Sequence, residues 1–470
     1  MNWTIVYAII FLGFTYYVAK KIELAYRSRA NGCKPPASID TTYFGLDMAY
    51  NALQANKNFR TNEHLTNLMR SNGKRTLRTD TPWGKTIFTI EPENIKAILA
   101  TNFDSFGLGH IRHDNFSDLL GDGIFTLDGQ GWSLSRSLLR PQFSRDRISD
   151  LELFEHHFQN MIKLIPSDGS TVDIQELFFR LTIDAATEFL FGESTNNLLN
   201  DEDTFAASFN FGQEILGRRV IIGKLYWLYK PTKFVEACKN VHSHIIPYVE
   251  SALGLPATEK SKKLVSNKKD NEKDGDDDKY VFLDHLVKET KDPKQIQDQL
   301  LNILLAGRDT TASLLAWTVW VLSNRPDVFE KLRKEVIDNC GSQTPDYTQM
   351  RSMKYLRAVL NETLRLWPIV PNNVRMALKD TQLPVGGGPD EKSPIFVPKG
   401  TSIQYSVYQM QRDKKWYGET AEEFDPERWF KTVPDSWTYL PFNGGPRICL
   451  GQQFALNEAS YILLSGYFKL

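Results

Sequence analysis

The longest uncharged apolar run comes first. From Trp3 to Ala19 no residue carries charge, and the run stops at Lys20-Lys21. A helix there, at ~1.5 Å per residue, covers roughly 25 Å, just short of a ~30 Å hydrocarbon core. Trp3, Tyr16 and Tyr17 stand at its ends as interfacial aromatics do, and the lysines follow rather than precede it. No basic leader or small-x-small cleavage site makes it a removable signal peptide. A buried core helix is the plainer source of such a run, but the flanking lysines and the Pro35-Pro36 break favour a membrane anchor and linker over 1–34, with the remainder on the cytoplasmic side.

Behind it the pattern changes repeatedly. Residues 43–100 read as helices followed by a strand pair around Arg75–Ile90, turning at Pro82-Trp83-Gly84. Leu151 to Pro256 is a series of helices rich in Phe, Tyr, Leu and Ile, a composition more typical of core than of a binding pocket. Glu259 to Lys279, with Lys268-Lys269-Asp270 and Asp276-Asp277-Asp278, has the low hydrophobicity and charge blocks of a solvated surface insertion. Helical periodicity resumes at Tyr280, and Gln299–Leu322 is the longest helical pattern, stopped at Asn324-Arg325-Pro326. Short strand runs follow at Ile395–Val397 and Ser402–Val407, with Gly386-Gly387-Gly388 as a hairpin turn; no Gly-Lys-Ser/Thr or helix follows to make it a phosphate loop. A last helix spans Gln452–Gly466. The reading is a mainly α protein with small β-sheets (α+β), its globular part at 35–470.

With 470 residues, 41% hydrophobic, a large core is available, and a net charge of −1 argues against nucleic-acid binding through bulk electrostatics. Cys33, Cys238, Cys340 and Cys449 are too scattered for a disulfide framework, which fits a reducing compartment.

Chemistry concentrates at three places. Phe442-Asn443-Gly444-Gly445-Pro446-Arg447-Ile448-Cys449-Leu450-Gly451 is a glycine-bracketed loop delivering one cysteine directly before a helix. The glycines permit positive φ and close backbone approach, and backbone N–H groups with the helix start favour a thiolate. One thiolate cannot hold a structural zinc, whereas a haem iron needs one axial protein ligand. A lone cysteine is more often buried and inert, so the surrounding spacing has to carry the case. In the long helix, Gly307-Arg308-Asp309-Thr310-Thr311 interrupts apolar neighbours. Burying Arg308-Asp309 there is costly, and Thr310 can back-bond to the helix and open it locally. Of two Glu-x-x-Arg pairs, Glu330/Arg333 sits in a charged helix as an exposed pair; Glu362/Arg365 sits in an apolar one, with Arg428 some sixty residues on. Trp132 and Arg136, four apart on one helix face, suit a plain cation–π contact.

The spacing Phe442, Gly445, Arg447, Cys449, Gly451 resembles the haem-binding loop of the cytochrome P-450 family, and Ala306-Gly307-Arg308-Asp309-Thr310-Thr311 resembles its oxygen-activation motif. The resemblance implies haem b on the Cys449 thiolate, a propionate held by Trp132 and Arg136, and a second propionate arginine in Arg375. It implies protons relayed by Asp309 and Thr310, and a buried Glu362–Arg365–Arg428 network bracing the loop. Gln411-Arg412-Asp413 departs from the His-Arg-Asp of many relatives. Relatives also continue past Leu470 into a β-hairpin, so the chain looks shortened there. Residues 383–388 and 439–456 are similar to the yeast and fungal alkane-inducible subgroup. That implies a monooxygenase of the endoplasmic reticulum membrane, acting on the terminal carbon of long-chain n-alkanes or fatty acids. Electrons would come from a membrane-bound NADPH–cytochrome P-450 reductase docking near Arg140 and Arg145, since the chain has no dinucleotide fingerprint. The alternatives are a hydroxylase of another lipophilic substrate, a thiolate-haem isomerase needing no O2, and an inactive haem-binding membrane protein.

Overall fold

The computed structural model describes residues 3–42, 45–81, 84–144, 151–200, 204–255, 280–341, 343 and 345–469. The turn residues Pro82 and Trp83, the charged segment 259–279 and Arg145 lie outside them.

Helix Pro293–Asn324 is the axis of the molecule. Asp292 caps it, its carboxylate accepting from the backbone of Lys294 and Gln295, with Pro293 in the first turn where no amide partner is needed. It packs against helices Ile174–Phe191, Thr232–Leu253, Lys354–Leu366 and Gln452–Lys469. Leu300, Leu301, Leu304, Ala312, Leu314 and Leu315 are buried in the one large apolar cluster these helices share. The aromatic-rich helices of 151–256 belong to the same cluster, as their composition suggests. The central helix is unbroken. Thr310 Oγ1 does donate back to Ala306 O at 2.7 Å, but the ladder absorbs that bond without opening.

Strands from distant parts of the chain form the facing wall. Six of them, β1 (Ala37–Ser38), β2 (Thr76–Thr81), β3 (Gly84–Thr89), β4 (Phe106–Gly107), β5 (Asn372–Ala377) and β8 (Ser402–Ser406), order as β1-β2-β3-β8-β5-β4. β2 and β3 pair antiparallel from Thr76↔Thr89 to Thr81↔Gly84, as the expected hairpin requires, and β3 pairs parallel with β8. β5, a strand the sequence pattern did not announce, closes on β8 and brings Arg375 opposite Ile403. β6 (Thr381–Gly387) and β7 (Ser393–Val397) form a separate hairpin; Gly386 and Gly388, with φ of 104° and 78°, make its irregular end.

The N-terminal helix runs from Trp3 to Ala30, through Lys20, Lys21 and Glu23. Among the described residues no helix is long and apolar enough to cross a membrane. The spanning anchor read from the sequence is therefore not borne out by the helix: its uncharged stretch is too short and its second half too polar.

Candidate active site

Between the central helix and the six-stranded sheet lies a cavity of about 850 Å³. Of the four cysteines only Cys449 lines it.

The loop that carries Cys449 is pinned at several points. Cys449 N donates to Phe442 O at 3.0 Å. Gly445 has φ 67°, and a Cβ there would fall 1.9 Å from Leu99 O, so no other residue fits. Gly444 is extended instead, its freedom unused. Asn443 takes the left-handed conformation in its place and accepts from the Tyr405 hydroxyl at 3.1 Å. Helix Gln452–Lys469 begins behind the sulfur as expected. The electrostatics differ from expectation. The sulfur opens to the cavity yet is surrounded by protein, and that burial pushes the thiol pKa up, against the Gly451 amide and Arg136 which pull it down. Loop and helix alone do not make a thiolate; a bound cation does.

Four arginines line the cavity with Cys449, and two of them, Arg112 and Arg375, form no ion pair among the described residues. Arg112 lies 3.6 Å over the Phe116 ring and donates Nε to Phe125 O at 3.3 Å. Arg375 donates to Val374 O and faces the Tyr405 ring. Neither forms an ion pair among the described residues, and burial, then the neighbouring Arg375, pushes the Arg112 pKa down to about 10. Arg447 is committed to Asp128 at 2.6 Å and to Leu127 O at 3.1 Å, but its Nε and the Trp132 Nε1 are buried with no partner. Arg447 stacks on Trp132 at 4.5 Å, closer than Arg136 at 5.9 Å; Arg136 donates to Ile448 O at 2.9 Å. Unpaired buried charges and orphaned donors are costly. This set fits a large, flat, apolar group bearing two carboxylates beside a thiolate-ligated metal.

Ala306, Gly307, Thr310 and Thr311 line the opposite wall. A Cβ on Gly307 would meet only Ala186, at 3.8 Å, so this glycine keeps space open rather than relieving a clash. Asp309 does not line the cavity. It sits 3.3 Å from the buried Arg308, and burial raises its pKa.

Behind the loop, Glu362 is fully buried between two arginines. Arg365 binds it twice, Nε at 2.9 Å and an NH2 group at 2.8 Å, and Arg428 Nε donates at 3.0 Å. Trp429 Nε1 and the Asp425 amide complete its shell. Glu330 and Arg333 are exposed and 4.0 Å apart, the weak surface pair expected.

Three residues escaped the sequence reading. Arg112 follows no motif. Asp128 accepts from the amides of Leu108 and Gly109 as well as from Arg447. Gln411, noted only as a departure, is fully buried and saturated: Nε2 donates to Leu364 O and Arg365 O, and Oε1 accepts from Leu440 N.

A helical fold enclosing a cavity with one cysteine, apolar walls and a paired set of free arginines defines a haem-thiolate enzyme. The family model for cytochrome P450 matches residues 45–465. The chain is 44% identical to cytochrome P450 52A13 of Debaryomyces hansenii over 98% of its length and 90% of the relative's. It is 50% identical to cytochrome P450 52A3-A of Candida maltosa over 81% and 74%. Against cytochrome P450 52E1 of Candida apicola it is 43% identical over 93% and 85%. The chain belongs to the cytochrome P450 family. It is a monooxygenase that uses haem with a cysteine thiolate on the iron.

Proposed function

We propose that the chain inserts one atom of O2 into the terminal C–H bond of a long-chain n-alkane or fatty acid, with Cys449 as the iron ligand. The carrying observation is the cavity: about 850 Å³, mostly apolar in its lining, with both Cys449 and Thr310 among the residues that line it. Net reaction: R–CH3, O2, two electrons and two protons give R–CH2OH and water. Haem supplies the O2 activation and C–H cleavage that no side chain here provides.

The protein's part is positioning and proton supply. Trp132, Arg112, Arg136 and Arg375 would offer donors to the propionates of a bound haem, while Arg447, held by Asp128, stiffens the loop. Gly445 and Gly451 would let the loop backbone approach a bound haem, and Phe442 would pack beside it. Leu314, Phe189, Leu190 and Phe454 exclude water from the chain's path. Thr310, on the wall facing the sulfur, holds a proton at Oγ1, with Asp309 as its acid. Glu362, Arg365 and Arg428 brace the loop from behind.

Residues 1–34 would hold the catalytic domain, 35–470, at the endoplasmic reticulum membrane. Exposed Trp3, Tyr7, Phe11, Leu12, Phe14 and Tyr16 on the first helix support contact with lipid. Electrons would come from a membrane-bound NADPH reductase approaching the Cys449 side at Arg140, which is exposed. The test is turnover of hexadecane and palmitate by the haem-loaded chain with NADPH and reductase. NADPH-dependent terminal alcohol is expected; absence of any oxygenated product from either substrate contradicts the proposal.

A further inference from the structure

A second cluster of metal-ligating side chains stands away from Cys449. Helix Glu152–Ile162 turns Leu153, Phe154, Phe158 and Met161 into the core, and His157 goes with them, 1% exposed. His156, the residue before it, is exposed; the two rings stand edge to face with centroids 5.0 Å apart. Glu188 comes from helix Ile174–Phe191, which packs alongside. One ligand atom from each of His156, His157 and Glu188 falls within 4.8 Å of the other two.

The tightest of these contacts is not an ordinary hydrogen bond. His157 Nε2 lies 2.7 Å from Glu188 Oε2 but out of the line that a ring N–H needs, and the buried nitrogen has no hydrogen-bond partner. An orphaned imidazole nitrogen in the core costs free energy that a ligand would offset. Glu155, the other acid close by on the same helix, is engaged by Gln159 and by the Tyr461 hydroxyl. Glu188 is the carboxylate that faces His157.

Two imidazoles and a carboxylate suit zinc, which takes nitrogen and oxygen ligands at about 2.0–2.2 Å in a tetrahedron. Ligand atoms then stand roughly 3.3 Å from one another. The close pair has only to open slightly, and the exposed His156 can turn inward. The same exposed edge leaves a fourth position for water and gives the ion its way in.

We propose that His156, His157 and Glu188 form a zinc site, with water as the fourth ligand, that clamps helix Glu152–Ile162 to helix Ile174–Phe191. Glu188 is followed by Phe189 and Leu190, both of which line the cavity. A metal on Glu188 therefore fixes the helix that carries this part of the cavity wall. The site touches no reacting atom, and it does not depend on which substrate the cavity takes.

Calorimetric titration of zinc chloride into the haem-loaded chain, first stripped with a chelator, tests the site. Wild type should bind one ion per chain with a micromolar Kd, and His156→Ala should bind it about tenfold more weakly or worse. His156 is exposed, so this variant should keep its fold; Glu188→Gln should weaken binding likewise. Excess zinc should raise the thermal midpoint of wild type and leave that of His156→Ala unchanged. X-ray absorption at the zinc edge, to which haem iron contributes nothing, should show two imidazoles at about 2.0–2.1 Å. Wild type that takes up no stoichiometric zinc overturns the proposal. So does an ion that His156→Ala holds as tightly as wild type, or one whose edge spectrum shows no imidazole.

Discussion

The Leu440 amide donates to Gln411 Oε1 at 2.7 Å, while Nε2 of the same side chain holds the carbonyls of Leu364 and Arg365. One buried amide thus ties the helix carrying Glu362 to the segment that opens the cysteine loop two residues later. A histidine ring has one donor and one acceptor when neutral; glutamine offers two donors on one nitrogen and uses both. Gln411→Leu leaves one amide and two carbonyls unsatisfied. At ~1–3 kcal/mol for a stranded buried group, a lowered melting temperature and reduced haem content are expected. Unchanged values in thermal unfolding and haem quantification would show that the tie is dispensable.

Glu362→Ala strands Arg365 and Arg428, and Arg365 is fully buried. Removing one partner of such a network costs about 3–5 kcal/mol, so the variant should fail to retain haem. Expression followed by haem-to-protein ratio measures this.

Arg112→Met is predicted to have opposite effects in the two states. The haem-free chain loses an enclosed, unpaired cation and becomes more stable to urea. The haem-loaded chain loses a carboxylate partner and releases haem to apomyoglobin several-fold faster. A drop in haem-free stability would mean that the Phe125 carbonyl and the Phe116 ring outweigh the cost of enclosing the cation.

Glu458 gives a pH dependence with a fixed sign. Its pKa rises from an ordinary 4.5 to about 8 on folding. Between these values the folded state binds more protons than the unfolded one, so this group's contribution to stability declines as pH rises. Urea midpoints from pH 5 to 8 should therefore fall less steeply in Glu458→Gln than in wild type.

How far the sequence could lead depended on the kind of signal. The cysteine loop was legible because Gly445 and Cys449 obey a fixed spacing that backbone geometry enforces, and the central helix because its apolar period and its proline stop are local. Glu362, Arg365 and Arg428 meet because a buried charge needs partners. Arg112 and Gln411 were not legible, since their roles depend on what other chain segments leave unpaired. β5 was missed because its strand identity comes from pairing with β8, thirty residues on. The first helix is not confirmed as a span, because its uncharged run ends before the helix does.

The central claim is a thiolate from Cys449 on haem, and the carbon monoxide difference spectrum of the dithionite-reduced, haem-loaded chain tests it directly. The account predicts a strongly red-shifted Soret band that disappears in Cys449→Ala. A wild-type band at the position of imidazole-ligated haem, or a red-shifted band that survives in Cys449→Ala, would contradict it.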